Sequence, residues 1–314
     1  MEVKKPDFWK NDKLYYDLKS YWRNLFGATV YKLPVDAGFT CPNRDGSKGS
    51  DGCSYCDGRG SQLRQNGILP PITQQIEAGK NFYRLRTNAE SFIAYFQTFT
   101  NTYAPVSVLK SLYDEALSCE KVIGLSIGTR PDCVDEKKIS LIADYAAQNH
   151  IWVEYGIQSM KEETLKATGR GHGVAEFVDA VEKTARRNIL ICAHIIIGLP
   201  NESREDMLHT ARSLAALPID GIKIHSLLAL QGTPLGEAYL QGGLPLLTLA
   251  EYATIVSDVL EVLPSHMVIQ RLTADGYKDI FLAPAWARNK LTVINAIERE
   301  LSQRNSFQGK KAKG

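Results

Sequence analysis

The sequence has no long apolar run. Nowhere in its 314 residues does an apolar run approach the length of a membrane span, and the N-terminal MEVKKPDFWKNDKLYYDLKSYW lacks the apolar core of an export signal. A cytoplasmic chain with no membrane partner is expected. In that reducing compartment, clustered cysteines are metal ligands or catalytic thiols more readily than disulfides. Histidine is scarce: the six are all at or beyond His150. No GxGxxG follows the first strand-like run, which disfavours a dinucleotide-binding sheet. The pairing of His-x-Glu with Pro-Cys-x-x-Cys that a zinc deaminase requires is also missing.

What remains is an ordinary globular composition, 44% hydrophobic and 23% charged, long enough for one large barrel or two domains. Net charge is only +2, but it is unevenly spread. Residues 1–35 carry seven Lys/Arg against four Asp/Glu, and residues 266–314 nine against four, so the ends together are +8 and the middle is −6. Aromatics interleave with these basic ends: Phe8, Trp9, Tyr15, Tyr16, Tyr21, Trp22 and Tyr31, then Tyr277, Phe281, Trp286 and Phe307. Charge with stacking surface suits an RNA partner. Two solvated faces and a disordered basic tail explain the same pattern equally well.

Between the ends the chain alternates. Short β-branched runs stand at 29–35, 91–97, 122–127, 151–157, 191–197 and 221–228, separated by amphipathic helical patterns. Strand and helix at this spacing specify right-handed βαβ units around a parallel sheet. Six units suit an incomplete barrel better than a closed one of eight. The expected class is therefore α/β, a partial (β/α)6 TIM barrel over residues 26–264. A basic and aromatic segment (1–25) precedes it, and a C-terminal α/β extension (265–314) lies beside it. That extension opens on the strand-like VIQRL and ends in an amphipathic helix carrying Val293, Ile294, Ile297 and Leu301.

The stretch CPNRDGSKGSDGCSYC, residues 41–56, holds half of the six cysteines. Eleven residues separate Cys41 from Cys53 and two separate Cys53 from Cys56. The interval is glycine, serine, asparagine and aspartate, turn chemistry with nothing to pack a core. It follows the first strand, on the rim where such barrels place their chemistry. Structural zinc wants a fourth ligand, and no further Cys or His lies before residue 117. An iron–sulfur cluster with three thiolates would keep one iron open. Cys119, Cys133 and Cys192 read as small buried hydrophobes.

Three close cysteines after strand one of a six-unit barrel, with Tyr55 just before the last, resemble the radical S-adenosylmethionine (radical SAM) superfamily. The eleven-residue interval is similar to the longer-looped branch that includes the Elongator catalytic subunit. The likeness covers roughly residues 25–300. It implies a [4Fe–4S] cluster on Cys41, Cys53 and Cys56, whose open iron binds S-adenosylmethionine, and a reducing partner such as flavodoxin or ferredoxin. It implies cofactor contacts at Gln97 in FQTFTNTYAP, where the family's glycine-rich turn is absent. Others follow at Thr129 in IGTRPDCV, Gln158 in EYGIQSM, Arg170 in TGRGH and His194 in HIIIGLP. Arg130 and Asp132 face the same rim, and Lys223 and His225 alternate on strand six toward a substrate. The C-terminal run with Arg271, Trp286, Arg288 and Lys290 resembles a bacterial branch implicated in tRNA wobble-uridine modification. The implied reaction turns 5-carboxymethylaminomethyl-uridine into 5-aminomethyl-uridine, with tRNA gripped by the basic ends. A small metabolite or protein substrate is the alternative within the same chemistry, and a non-catalytic zinc/RNA-binding module the alternative outside it.

Overall fold

The structure is a computed structural model that describes residues 5–58, 69–276 and 278–312. Tyr277, one of the aromatics singled out above, lies outside them, as do Lys313 and Gly314 of the basic tail.

Each of the six apolar runs forms a strand. In chain order they are β1 (Val30–Val35), β2 (Ser91–Phe96), β3 (Val122–Thr129), β4 (His150–Gln158), β5 (Leu190–Ile197) and β6 (Gly221–Ser226), each parallel to the one before. A short run, β7 (Ala229–Leu230), then leaves the sheet. The chain returns as β8 (Val268–Arg271), and β9 (Phe281–Ala283) pairs antiparallel with β7. The spatial order β1-β2-β3-β4-β5-β6-β8 makes a seven-stranded, all-parallel curled sheet. The VIQRL run, expected to lie beside the barrel, is thus its seventh strand, with Gly221 opposite Val268. Only Val268 and Ile269 are buried in it, too short a signal to be read as a barrel unit.

Helix α1 (Leu18–Phe26) precedes the sheet. α2 (Ile72–Arg84), α3 (Val106–Leu117) and α4 (Glu136–Ala146) make the first three crossovers. α5 (Glu162–Ala167) and α6 (Val174–Thr184) join β4 to β5, and α7 (Arg204–Ala215) joins β5 to β6. α8 (Pro234–Leu240) and α9 (Leu249–Val262) lead to β8, and α10 (Lys290–Gln303) follows β9. Starts are written in the sequence. Asp17, Asp135, Thr233 and Asn289 accept from backbone N–H groups at the helix openings, and Ser203–Asp206 and Thr248–Glu251 form capping boxes. Alternate residues such as Ile151, Val153, Tyr155 and Ile157 of β4 face these helices in the main apolar core.

Most of the described aromatics at the basic ends do not offer a stacking surface, Phe8 being the exposed exception. Trp9, Tyr15, Tyr16 and Trp22 are buried. Trp9 and Tyr16 pack with Trp152, Cys192 and Val268 beneath the amino ends of β4, β5 and β8, while Trp22 packs with Val30 and Ile93 beneath β1 and β2. The bare Gly221 admits the Trp152 ring, since a Cβ there would lie 2.9 Å from it. The C-terminal segment closes the same floor. Gln308 bonds the Tyr16 N–H and the Leu14 carbonyl, and Phe307 meets Trp9 edge-on. Its charges are spent locally, Arg304 on Asp258 and Glu300 and Lys311 on Glu261. An amphipathic aromatic and a buried one look alike in sequence, and here burial wins. Trp9, Tyr16 and the 304–311 segment lie opposite the rim that carries the cysteines.

His150, at the start of β4, accepts a hydrogen bond at Nε2 from Trp152 Nε1 (2.8 Å), and burial, with Lys32 nearby, pushes it down to about 4. The folded chain therefore refuses a proton that the unfolded chain takes up below about pH 6.5. Stability is lost as pH falls from 6.5 toward 4, by about 2 kcal/mol at pH 5 from this residue. Urea denaturation at pH 7 and pH 5 should show that loss, and His150→Gln, which keeps an acceptor for Trp152 but does not titrate, should reduce it by that amount.

Candidate active site

The inward faces of the strands are stacked in levels. At the floor they are apolar, as described. One level up, every strand contributes a polar residue: Lys32, Tyr95, Ser126, Glu154, His194, Lys223 and Gln270, from β1 to β6 and then β8. Glu154, fully buried, is their hub. Its carboxylate accepts from Lys32, Lys223 and Ser126, and meets His194 Nε2 at 2.7 Å. Lys32 also donates to Ser126 (2.9 Å) and Gln270 (2.7 Å), and Lys223 to the Tyr95 hydroxyl (2.8 Å). Burial alone would raise the Glu154 carboxyl, but Lys223 and Lys32 hold it well below its usual range. Burial pushes Lys32 down to about 8 and His194, beside Lys223, to about 4, so the imidazole is neutral.

Glu154, Cys192 and His194 also place donor atoms within 4.8 Å of one another, as a metal site would. The two ammonium groups on Glu154 argue against a cation there, and burial raises the Cys192 thiol far above its usual range, against the thiolate a metal needs.

Above this level the strands thin out. Gly128 and Gly156 face inward, and a Cβ at Gly156 would lie 2.7 Å from the Gln158 amide and 2.9 Å from the Arg170 guanidinium. The missing side chains leave a cavity of about 760 Å³, roomy enough for a nucleoside-sized ligand beside a metal centre. Cys41, Cys53 and Cys56 line its rim. Gln97, Thr129, Gln158, Arg170 and His194 line it too, so all eight residues singled out as ligands or cofactor contacts meet in one space. Arg130, Lys223 and His225 join them, whereas Asp132 stands behind Arg130, paired to it at 2.9 Å.

The cysteine loop is held by polar contacts in place of a core. Asn43 donates to the carbonyls of Gly169 (2.8 Å) and Arg170 (2.9 Å) and lies 3.5 Å from Cys53 Sγ. Arg44 donates to the Cys56 carbonyl (2.6 Å) and fills the space of two absent side chains, at Gly52 and Gly58, both at positive φ. Lys48 reaches Asp132 (2.6 Å). Two guanidiniums face the sulfurs: Arg170 Nη1 is 3.6 Å from Cys53 Sγ, and Arg130 Nη1 is 3.9 Å from Cys41 Sγ. Burial would raise the Cys53 thiol, but Arg170 and the hydrogen bonds around it bring it below its usual range. Cys133, by contrast, is pushed up to about 12 by burial and Cys119 is raised likewise, so neither is a ready ligand.

The donor set fits a multi-iron cluster better than one ion. Zinc at normal Zn–S lengths would draw its sulfurs to about 3.8 Å apart. Among the described residues the three cysteines are not a group with all donor atoms within 4.8 Å. Three thiolates backed by two fixed cations suit an anionic cluster.

Lys32, Tyr95 and Glu154 escaped the sequence reading, and Arg271, singled out there only within the C-terminal run, lines the cavity. The signal was present: one charged or polar residue interrupts each apolar strand run.

A curled parallel half-barrel with three thiols on its carboxyl rim defines a class of metal-dependent enzymes, and comparison with known proteins narrows it. The family model described as the radical SAM superfamily matches residues 41–214, and the one described as the Radical_SAM C-terminal domain matches residues 219–303. The chain belongs to the radical SAM superfamily, whose enzymes use a [4Fe–4S] cluster and S-adenosylmethionine. It is 39% identical over 299 residues to the uncharacterized protein YtqA of Bacillus subtilis, covering 95% of this chain and 93% of that one. It is 27% identical over 158 residues to the tRNA uridine(34) acetyltransferase of Methanocaldococcus infernus, covering 49% of this chain and 29% of that one. Among solved structures, the archaeal M. infernus Elp3 lacking its N-terminus shares the fold. Its TM-score is 0.67 at 17% identity, over 89% of this chain and 64% of that one. Among the described residues no helix is long and apolar enough to cross a membrane.

Glu154→Gln removes the charge that two buried lysines share and should cost about 3–5 kcal/mol, read as a fall in the urea midpoint. A loss under about 1 kcal/mol would mean that the lysines are not held by this carboxylate.

Proposed function

We propose that this radical SAM enzyme acts on the wobble uridine of tRNA, converting 5-carboxymethylaminomethyl-uridine to 5-aminomethyl-uridine ahead of a separate methyltransferase. The observation that carries the tRNA reading is the similarity to a protein named for uridine 34 of tRNA, joined to the fold shared with archaeal Elp3. The cavity supports it with space for a nucleoside above a polar floor.

In this reading Cys41, Cys53 and Cys56 hold the cluster and leave one iron open. Bound there, S-adenosylmethionine and the cluster supply one-electron abstraction of a hydrogen atom from an unactivated C–H bond. A reduced flavodoxin or ferredoxin supplies the electron. The protein's own part is placement and shielding. Arg170, locked on the Gly156 carbonyl and Cys53, supplies a fixed positive charge beside thiolate and cofactor carboxylate. Gln97, Thr129 and Gln158 line the cavity wall and would offer hydrogen bonds to the cofactor, and neutral His194, fixed by Glu154, would meet its sugar.

Two measurements test this. Bulk tRNA from a strain lacking the protein should accumulate 5-carboxymethylaminomethyl-uridine and lose its aminomethyl products, and an unaltered nucleoside profile would send the substrate search to metabolites and proteins. Reconstituted Cys53→Ala should form no 5′-deoxyadenosine, and persistent formation would remove Cys53 from the ligand set.

A further inference from the structure

The cavity floor on the β6–β8 side is built for an anion. Lys32 and Lys223 share the one carboxylate of Glu154. Arg271, opposite Lys223 in the sheet register, shares Asp275 with Lys290, at 3.3 Å and 2.6 Å. In these two clusters four cations meet two carboxylates. Neutral His194 and His225 lie with their rings 5.4 Å apart, and His225 Nε2 is buried with no hydrogen-bond partner among the described residues. Lys223, using two of its three N–H bonds on Glu154 and Tyr95, has one to spare among the described residues. Lys223, His225, Arg271 and Asp275 all line the cavity.

We infer that Arg271, with Lys223 and His225, forms a carboxylate-binding subsite that selects the substrate by its acidic group. An arginine fork at the wall and a lysine and imidazole beneath it match a planar carboxylate, and charge-assisted donors of this kind favour an anion over its neutral ester. Burial first, then Arg271, His194 and Lys223, push His225 far down against the opposing Glu154 carboxylate, so its imidazole is neutral. The naming of the occupant as the carboxymethyl group of the uridine side chain rests on the tRNA reading above. The subsite itself does not.

The test uses the reconstituted enzyme with its cluster and saturating S-adenosylmethionine, titrated calorimetrically with N-methylglycine and with its methyl ester. The acid should bind at least tenfold more tightly than the ester. Arg271→Gln should erase that preference and Arg271→Lys should restore part of it, with urea midpoints confirming that both fold. Equal binding of acid and ester, no binding of either, or an unchanged preference in Arg271→Gln would each overturn the subsite. So would acid binding that appears only without S-adenosylmethionine, because the anion would then be the cofactor's own carboxylate. If the acid binds as expected but the tRNA nucleoside profile is unaltered, the subsite stands and the uridine occupant falls.

Discussion

One carboxylate shared by two lysines holds the centre of this barrel. Removing Glu154 from water is costly, and so is burying Lys32 and Lys223. None of the three is tolerable there alone. Together with Ser126, His194, Tyr95 and Gln270 they satisfy one another across the sheet, from its first strand to its last. The network ties the two edges of an unclosed barrel through its interior, which the backbone ladder of an open sheet cannot do. It also sets the charge of the space above it, because one carboxylate cannot neutralise two ammonium groups.

The levels of the interior follow from that constraint. Below the network, aromatics from the N-terminal segment fill the volume and keep water from the buried charges. Above it, glycines on β3 and β4 leave the volume empty, and the rim supplies thiols and guanidiniums. Apolar, ionic, open and thiol-bearing levels succeed one another along one axis, each strand contributing through alternate residues.

Much of this was legible in the sequence. The six β-branched runs became six strands, and three cysteines in a glycine-rich loop pointed to a cluster on the carboxyl rim. The residues that sequence reading missed share a physical reason. Lys32 and Glu154 are separated by 122 residues, and nothing local tells a charged residue inside a strand which way it faces or what meets it there. VIQRL is too short and too polar to announce a central role. Trp9 and Tyr16 read equally well as an RNA surface or as part of a solvated face, since burial of an aromatic beside lysines depends on contacts with residues as distant as Ser265 and Gln308.

Those last contacts bear on how the chain is made. The backbone of Leu14 pairs with that of Gln308, and the Trp9 indole donates to Ser265. Synthesis runs from one partner to the other, so Trp9 and Tyr16 leave the ribosome about 250 residues or more before the groups that cover them. Until residue 308 has emerged, the underside of the sheet has no complete cover, and Trp9 and Tyr16 remain sticky groups in solvent. The strands and crossover helices can assemble in order as they appear. The floor closes only when the two segments meet.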